Sequence, residues 1–134
     1  MAETLSITDQ EQEVIHGEFE KLLVSMATSL ISDDKANLQK AFELANHAHR
    51  HQRRKSGEPY ILHPIEVARI CYQEIGLGPT AVISALLHDI VEDTPVTQDE
   101  ILKLFGSKIS KIVDGLTKLD GLYNKESNNV ASPQ

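Results

Sequence analysis

The sequence lacks tryptophan, has a single cysteine and contains no long apolar run. Aromatic residues make up 4% of the 134 residues, whereas leucine, isoleucine, valine and alanine are plentiful, which favours helices packed on helices over a β-sandwich. One cysteine excludes an internal disulfide and indicates a reducing compartment. No stretch approaches the roughly 18 apolar residues of a membrane span, and the N-terminus lacks the layout of a signal peptide. We therefore expect a single-domain, cytoplasmic protein.

Positive charge is also scarce. Thirteen lysines and arginines face 20 acidic residues, so the formal net charge is -7. A chain of this charge is not expected to bind nucleic acid or an anionic membrane as a whole. Local basic clusters remain compatible with this composition.

Apolar residues recur at helical spacing through most of the chain, and no segment with strand periodicity is long enough to build a sheet. Two capping boxes, Thr8 to Glu11 and Thr97 to Glu100, indicate helix starts. The pattern predicts an all-α bundle of about six helices. The first helix is expected to end near Ser32, the second near His51 and the sixth near Leu119.

The periodicity also suggests how the chain is organised. We expect an N-terminal helix over residues 1–33, a helical domain over residues 34–120 and a mobile, polar tail over residues 121–134. The third and fourth helices are joined by a short connection at residues 76–79. Such a connection favours an antiparallel hairpin, in which the start of the third helix lies beside the end of the fourth.

The segment His88 to Asp93 places two metal-ligand types side by side and two further acids one helical turn later. On a continuous helix over about residues 80–92, His88 would share an edge with Glu92, and Asp89 with Asp93. The residues before this segment are almost entirely apolar. A helix whose last turn becomes polar at the surface is the simpler interpretation of a lone His-Asp pair. The second acid pair favours a divalent cation, which satisfies imidazole and carboxylate together.

His63 stands immediately before Pro64 at the predicted start of the third helix. The helical hairpin would bring His63 to His88 and Asp89. A ligand set of two imidazoles and one carboxylate, without thiolate, suits manganese, iron, zinc or magnesium better than it suits a structural zinc site. The two histidines disfavour magnesium, and three ligands leave positions for water and substrate. An ordinary helix-start histidine is the alternative for His63 taken alone.

A basic loop precedes His63. Arg53, Arg54, Lys55 and Ser56 stand in a segment without apolar periodicity, residues 53–62, that contains Gly57 and Pro59 and is predicted to be an irregular connection. Guanidinium groups bind phosphate bidentately and stack on planar rings, while an ammonium group acts as a mobile point charge. A solvated basic loop is the ordinary interpretation of such a segment. Beside a metal site, a phosphorylated, ring-bearing ligand is the better prediction.

Four segments resemble the hydrolase domain of the RelA/SpoT family in order and spacing, and these are residues 54–61, 63–64, 85–94 and 113–119. The similarity covers about residues 34–120. That domain belongs to the HD superfamily of helical, metal-dependent phosphohydrolases, so the resemblance implies an HD-domain-like helical bundle. The resemblance implies removal of pyrophosphate from the 3′ position of ppGpp or pppGpp, giving GDP or GTP, with Mn²⁺ as the usual metal.

The resemblance also implies a role for each matching residue. His63, His88 and Asp89 would be metal ligands, and Glu92 and Asp93 would position or activate the attacking water. Family members that only synthesise ppGpp and pppGpp have lost the His-Asp and Glu-Asp motifs. Because both motifs are intact here, the resemblance implies hydrolysis.

The same resemblance assigns the basic loop to the nucleotide. Arg54 and Lys55 would contact the guanine side and the phosphates, and Ser56 would line the nucleotide pocket. The family commonly has His-x-Gly-Gln before this loop, whereas His51 replaces the glycine here. This change is expected to alter the helix end without affecting the metal.

A further departure is the absence of the fourth metal ligand, an aspartate that the family supplies from a later helix. The chain is therefore expected to be the N-terminal part of a longer bifunctional synthetase and hydrolase, with weak metal binding and slow turnover by itself. Asp114 and Asp120 are the available substitutes. Absence of the later helices would leave an apolar face uncovered, which predicts self-association.

Two other functions fit the same motifs. The domain would be a guanine-nucleotide-binding regulatory module if it bound nucleotide without turnover, although such a module has no need of both acid pairs. It would be an HD phosphohydrolase with another nucleotide substrate if the loop recognised a different base, because a fold does not fix the substrate.

Overall fold

A computed structural model describes residues 6–131, with side chains described as far as residue 119. The α-helices of this part of the chain are α1 (Asp9–Met26), α2 (Asp34–Ala48), α3 (Leu62–Ile70), α4 (Pro79–Leu87), α5 (Ile90–Asp93), α6 (Gln98–Phe105) and α7 (Ser107–Ala131). A 3-10 turn, Ala27–Ser29, follows α1, and a π-helical turn, Cys71–Ile75, follows α3. Residues 6–131 contain no β-strand, so the predicted all-α class is confirmed. None of the described helices is long and apolar enough to cross a bilayer.

Both predicted capping boxes form. The Thr8 hydroxyl accepts a hydrogen bond from Glu11 N at 3.1 Å, and the Thr97 hydroxyl accepts one from Glu100 N at 3.2 Å. Each glutamate accepts a hydrogen bond from the backbone N–H of its threonine in return. These reciprocal bonds satisfy N–H groups that the first helical turn leaves without a partner. The two capping-box patterns therefore predicted the starts of α1 and α6 correctly.

Helix ends were predicted less well. The first helix ends at Met26, short of the predicted Ser32, because the chain tightens into a 3-10 turn. The last helix continues to Ala131, so its predicted end at Leu119 was wrong. The apolar periodicity stops near Leu119, but this periodicity indicates which helical residues are buried and not where the helix ends. No proline interrupts the backbone before Pro133, so the helix can continue past Leu119. The mobility predicted for residues 121–134 stays a prediction, and residues 132–134 of that tail lie outside the described residues.

The core of the bundle is arranged around α4. Every residue from Val82 to Leu87 is buried, and α4 packs against α2, α3 and α7. Helix α1 contributes to the same core, and its Phe19 stacks on Phe42 of α2 with ring centroids 4.2 Å apart. Burial of α4 on several sides fixes the position of its C-terminus, where the His-Asp motif begins.

Candidate active site

The predicted continuous helix over residues 80–92 is interrupted at the His-Asp motif. Helix α4 ends at Leu87, and His88 and Asp89 form a turn before α5 begins. His88 Nδ1 donates to the carbonyl oxygen of Ala85 at 2.7 Å, while the His88 backbone N–H reaches the same oxygen at 3.4 Å. A side chain that binds a nearby carbonyl competes with the helical hydrogen bonds. The imidazole of His88 therefore contributes to the break.

Helices α3 and α4 bring three metal-ligand types together. His63, in the first turn of α3, lies beside His88 and Asp89, and one ligand atom from each residue lies within 4.8 Å of the others. The ring centroids of the two histidines are 6.4 Å apart. The convergence that the hairpin predicted is therefore confirmed, whereas the role of these residues as metal ligands stays a prediction.

The hydrogen bonds of His88 show that this group suits a cation. A carbonyl oxygen only accepts, so Nδ1 carries the proton in the bond to Ala85. In neutral His88, Nε2 then presents a lone pair, and it lies 3.2 Å from Asp89 Oδ1, which is also an acceptor. Two acceptor atoms at this distance repel each other unless a cation lies between them, and that cation is either a proton on Nε2 or a metal ion. A histidine that ligates a metal commonly donates its other N–H to a backbone carbonyl, as His88 does.

Burial and charge keep His63 available as a ligand. Burial of its ring, together with the positive charge of Arg54, lowers the pKa of His63 below its usual value. The neutral form of the imidazole carries the lone pair that a metal requires. Arg54 therefore influences the cluster electrostatically although it belongs to the basic loop.

Tyr60 supports Asp89, a role that no sequence pattern predicted. The Tyr60 hydroxyl donates to Asp89 Oδ2 at 2.5 Å, and burial, followed by this hydrogen bond, raises the pKa of Tyr60. The phenol therefore remains a donor and fixes the orientation of the carboxylate. An aromatic residue inside an otherwise polar loop, three residues before His63, was the available signal.

His49 and Gln52 connect the end of α2 to the same site. His49 is buried, its ring lies 4.8 Å from the Tyr60 ring, and its Nδ1 donates to Gln52 Oε1 at 2.8 Å. Gln52 Nε2 donates to the Asp93 carbonyl oxygen at 2.6 Å. Burial lowers the pKa of His49, which favours the neutral ring. His49 and Gln52 match the His-x-Gly-Gln pattern of the family that the sequence resembles, and His51, which stands in place of its glycine, is exposed.

The basic loop and His63 share one cavity. A cavity of about 520 Å³ is lined by Arg53, Arg54, Lys55, Ser56, Tyr60 and His63. The loop is closed by hydrogen bonds from Arg54 N to Glu58 O at 2.9 Å and from Gly57 N to Arg54 O at 2.8 Å. Arg54, Lys55 and Ser56 are exposed at its tip. The structure therefore places the three predicted nucleotide-contacting residues beside a predicted metal ligand.

The remaining predicted residues lie outside the three-residue cluster. Glu92 and Asp93 are exposed on α5, directly after the His-Asp turn, and their role toward water stays a prediction. Asp114, a suggested substitute for the fourth ligand, instead forms an ion pair with Lys118 at 3.0 Å. The side chain of Asp120, the other suggested substitute, lies outside the described residues.

Comparison with known proteins identifies the family. A profile of the HD domain matches residues 41–134. The chain is 46% identical over 88 residues to a guanosine-3′,5′-bis(diphosphate) 3′-pyrophosphohydrolase of Aquifex aeolicus, an alignment that covers 66% of this chain and 12% of the relative. It is 43% identical over 104 residues to the bifunctional (p)ppGpp synthase/hydrolase SpoT of Escherichia coli K12, covering 78% of this chain and 15% of the relative.

A third relative carries the name of the opposite activity. The chain is 49% identical over 89 residues to a probable GTP pyrophosphokinase of Mycobacterium leprae, an alignment that covers 64% of this chain and 11% of the relative. The chain therefore spans a small part, between 11% and 15%, of the length of these three relatives. It belongs to the HD-domain family, and its HD domain is of the RelA/SpoT type that the sequence motifs predicted.

Proposed function

We propose that this chain is a metal-dependent 3′-pyrophosphohydrolase domain acting on ppGpp and pppGpp. The observation that supports this most directly is that His63 belongs both to the His-His-Asp cluster and to the wall of the basic cavity. A ligand in the cavity would therefore place its phosphates next to a bound cation. Relatives named for this hydrolysis carry the same domain.

The donor set fits a divalent cation, and we propose Mn²⁺. His63, His88 and Asp89 would hold it, because two imidazoles and one carboxylate without thiolate suit an open manganese, iron or zinc site, and the resemblance to the RelA/SpoT family favours manganese among these. When bound, such an ion polarises a phosphoryl group and lowers the pKa of a coordinated water.

The side chains around the cluster have separate tasks in this proposal. Tyr60 fixes Asp89 through its hydroxyl, and the Ala85 carbonyl fixes the tautomer of His88. Glu92 or Asp93 accepts the proton of the attacking water. Each task requires a side chain to be held in one orientation, and the packing of the helices holds it there.

The basic loop recognises the nucleotide. Arg54 and Lys55 neutralise phosphate charge, and the planar Arg54 guanidinium can also stack on the guanine. The Ser56 hydroxyl donates to the Glu58 carboxylate, so its oxygen remains able to accept a hydrogen bond at the cavity wall. Positioning and charge neutralisation account for most of the rate in phosphoryl transfer.

The reaction consumes one water. The water oxygen forms a bond to the phosphorus attached at the ribose 3′ position, and the bond from that phosphorus to the 3′ oxygen breaks. The 3′ oxygen ends protonated, so the products are pyrophosphate and GDP from ppGpp, or pyrophosphate and GTP from pppGpp. The relatives' names suggest that the whole protein is also a GTP pyrophosphokinase.

A single-turnover assay tests this proposal. The chain is mixed with Mn²⁺ and held in excess over ppGpp, so that even slow release of pyrophosphate is detected, and D89N is the matched inactive variant. Release by the wild type and none by D89N is the expected result. Tight binding of ppGpp by both proteins without release would identify a regulatory nucleotide-binding module, and release from another nucleotide alone would identify a different substrate.

A further inference from the structure

Arg53 begins the basic loop, yet its charge is already neutralised within the chain. Nη1 donates to Glu11 Oε2 and to Gly57 O, and Nη2 donates to Glu11 Oε1 and to Ser6 O, all at 2.8 Å. These bonds use the four N–H groups of the two terminal nitrogens. The Arg53 side chain is only 19% exposed. Arg53 is therefore not a free cation for a ligand, unlike its exposed neighbour Arg54.

Glu11, the partner of Arg53, is itself held in place. It is the glutamate of the first capping box, and its Oε1 accepts from Thr8 N at 3.0 Å. The hydrogen bonds from Arg53 are the main cause that lowers the pKa of Glu11 to about 2, so the carboxylate is ionised at neutral pH. One carboxylate thus joins the first turn of α1 to the basic loop.

The fork of Arg53 spans the base of this loop. Gly57, which has a φ of +102° that favours glycine, closes the turn, and its carbonyl accepts from Arg53 Nη1. The tip between the two anchored positions carries Arg54, Lys55 and Ser56. Because the tip is exposed, its own packing cannot fix it. The Arg53 bonds at its base therefore add to the backbone hydrogen bonds that close the loop, and together they restrain the backbone that carries these three side chains.

We infer that Arg53 is a positioning residue of the nucleotide loop, and that the start of α1 belongs to the nucleotide site through Glu11. This inference rests on the proposed function, because it assigns the residues that hold the proposed phosphate-binding side chains in place. Lysine at position 53 would keep the charge but lose the planar fork, so it cannot hold Glu11 and Gly57 together.

The anchor is tested first without metal or nucleotide. Amide hydrogen exchange at Gly57 is measured by NMR in the full chain for the wild type, R53K, E11Q and E66Q. The last variant is the matched control, because Glu66 forms a comparable two-point ion pair with Arg69 on α3, at 2.5 and 3.0 Å, outside the cavity wall. E11Q keeps an oxygen that can accept from Thr8 N. We expect protection of Gly57 to fall about tenfold in R53K and E11Q and to remain unchanged in E66Q.

Binding of ppGpp is then measured by calorimetry for the same proteins. We expect R53K and E11Q to bind about tenfold more weakly, with Mn²⁺ affinity unchanged, since the cluster does not contact Arg53. The double variant E11Q/R53K should lose no more than the worse single variant, because the two residues act as one unit. A general loss of folding would instead reduce Mn²⁺ affinity as well.

The two measurements separate this inference from the proposed function. Unchanged exchange at Gly57 in both R53K and E11Q overturns the anchor, whatever the nucleotide result. Unchanged ppGpp affinity in both variants, with exchange increased, overturns the positioning role. Failure of the wild type to bind ppGpp at all overturns the proposed function, and the exchange result then decides the anchor by itself.

Discussion

The two walls of the candidate site are built differently. The His63, His88 and Asp89 cluster lies on α3 and at the end of α4, among side chains that are buried or half-buried. The other wall is an exposed loop that carries Arg54 and Lys55, shares a cavity with His63 and is closed by hydrogen bonds. One wall depends on core packing and the other on a few polar contacts. We therefore expect metal binding and nucleotide binding to be lost independently.

Removal of a cluster residue should have the largest effect. In H88A or D89A, the loss of a direct ligand should reduce Mn²⁺ affinity and hydrolysis at least about 100-fold, since even residues that only orient a ligand typically contribute 10- to 100-fold. Metal-free binding of ppGpp, which depends on the loop, should persist.

Calorimetry with Mn²⁺ and separately with ppGpp measures both quantities, and H47A, at an exposed histidine of α2, is the control. Equal loss of metal and nucleotide binding in D89A would contradict the separation of the two walls.

Loss of the Tyr60 hydroxyl should have an intermediate effect. Y60F keeps the ring that contacts His49 but removes the donor to Asp89, so we expect Mn²⁺ affinity to fall about tenfold. Y72F is a matched control, because the Tyr72 hydroxyl is also hydrogen-bonded, to Ser29 at 2.7 Å, but far from the cluster. Wild-type Mn²⁺ affinity in Y60F would show that Asp89 is oriented without the phenol.

Neutralising the tip of the loop should affect mainly the nucleotide, because Arg54 acts on the cluster only through its charge, which lowers the pKa of His63. R54A should weaken ppGpp binding about tenfold, and the difference from wild type should shrink at high salt because exposed charges are screened. R50A removes an exposed arginine that instead contacts the His47 carbonyl and is the control. The affinity for ppGpp is measured for the wild type and R54A at two salt concentrations. A loss of affinity that does not depend on salt would show that stacking on guanine is the main role of Arg54.

The smallest expected effect is a dependence of stability on pH. His49 and His63 have pKa values below the usual 6.5, in each case mainly because of burial. At pH values between these folded-state pKa values and 6.5, the unfolded chain binds more protons than the folded chain. The two neutral rings therefore contribute their full stability above pH 6.5, and this contribution is lost as the pH falls through the folded-state pKa values.

Urea unfolding of the metal-free chain at several pH values between 5 and 8 measures this slope. H49Q and H63Q should each flatten it. A slope of opposite sign in the wild type would show that the neutral rings are not the favoured forms.

Sequence patterns predicted the parts of this molecule that depend on local chemistry. Capping boxes gave the starts of α1 and α6, and the short connection at residues 76–79 gave the hairpin that joins His63 to His88. The break at His88 was not predicted, because it depends on which nearby carbonyl the imidazole binds. Tyr60 and the contact between Arg53 and Glu11 were missed for a similar reason, since partners 29 and 42 residues apart leave no spacing signal.

The hairpin that carries the cluster also has a consequence for how the chain folds. All three cluster residues lie between the first turn of α3 and the turn that directly follows α4, so a single local closure brings them together. The entropic cost of closing a loop rises only slowly with its length, and local contacts form faster than distant ones. The cluster can therefore assemble before α1 reaches the basic loop. A cation present during folding would meet its three ligands before Glu11 anchors the nucleotide loop.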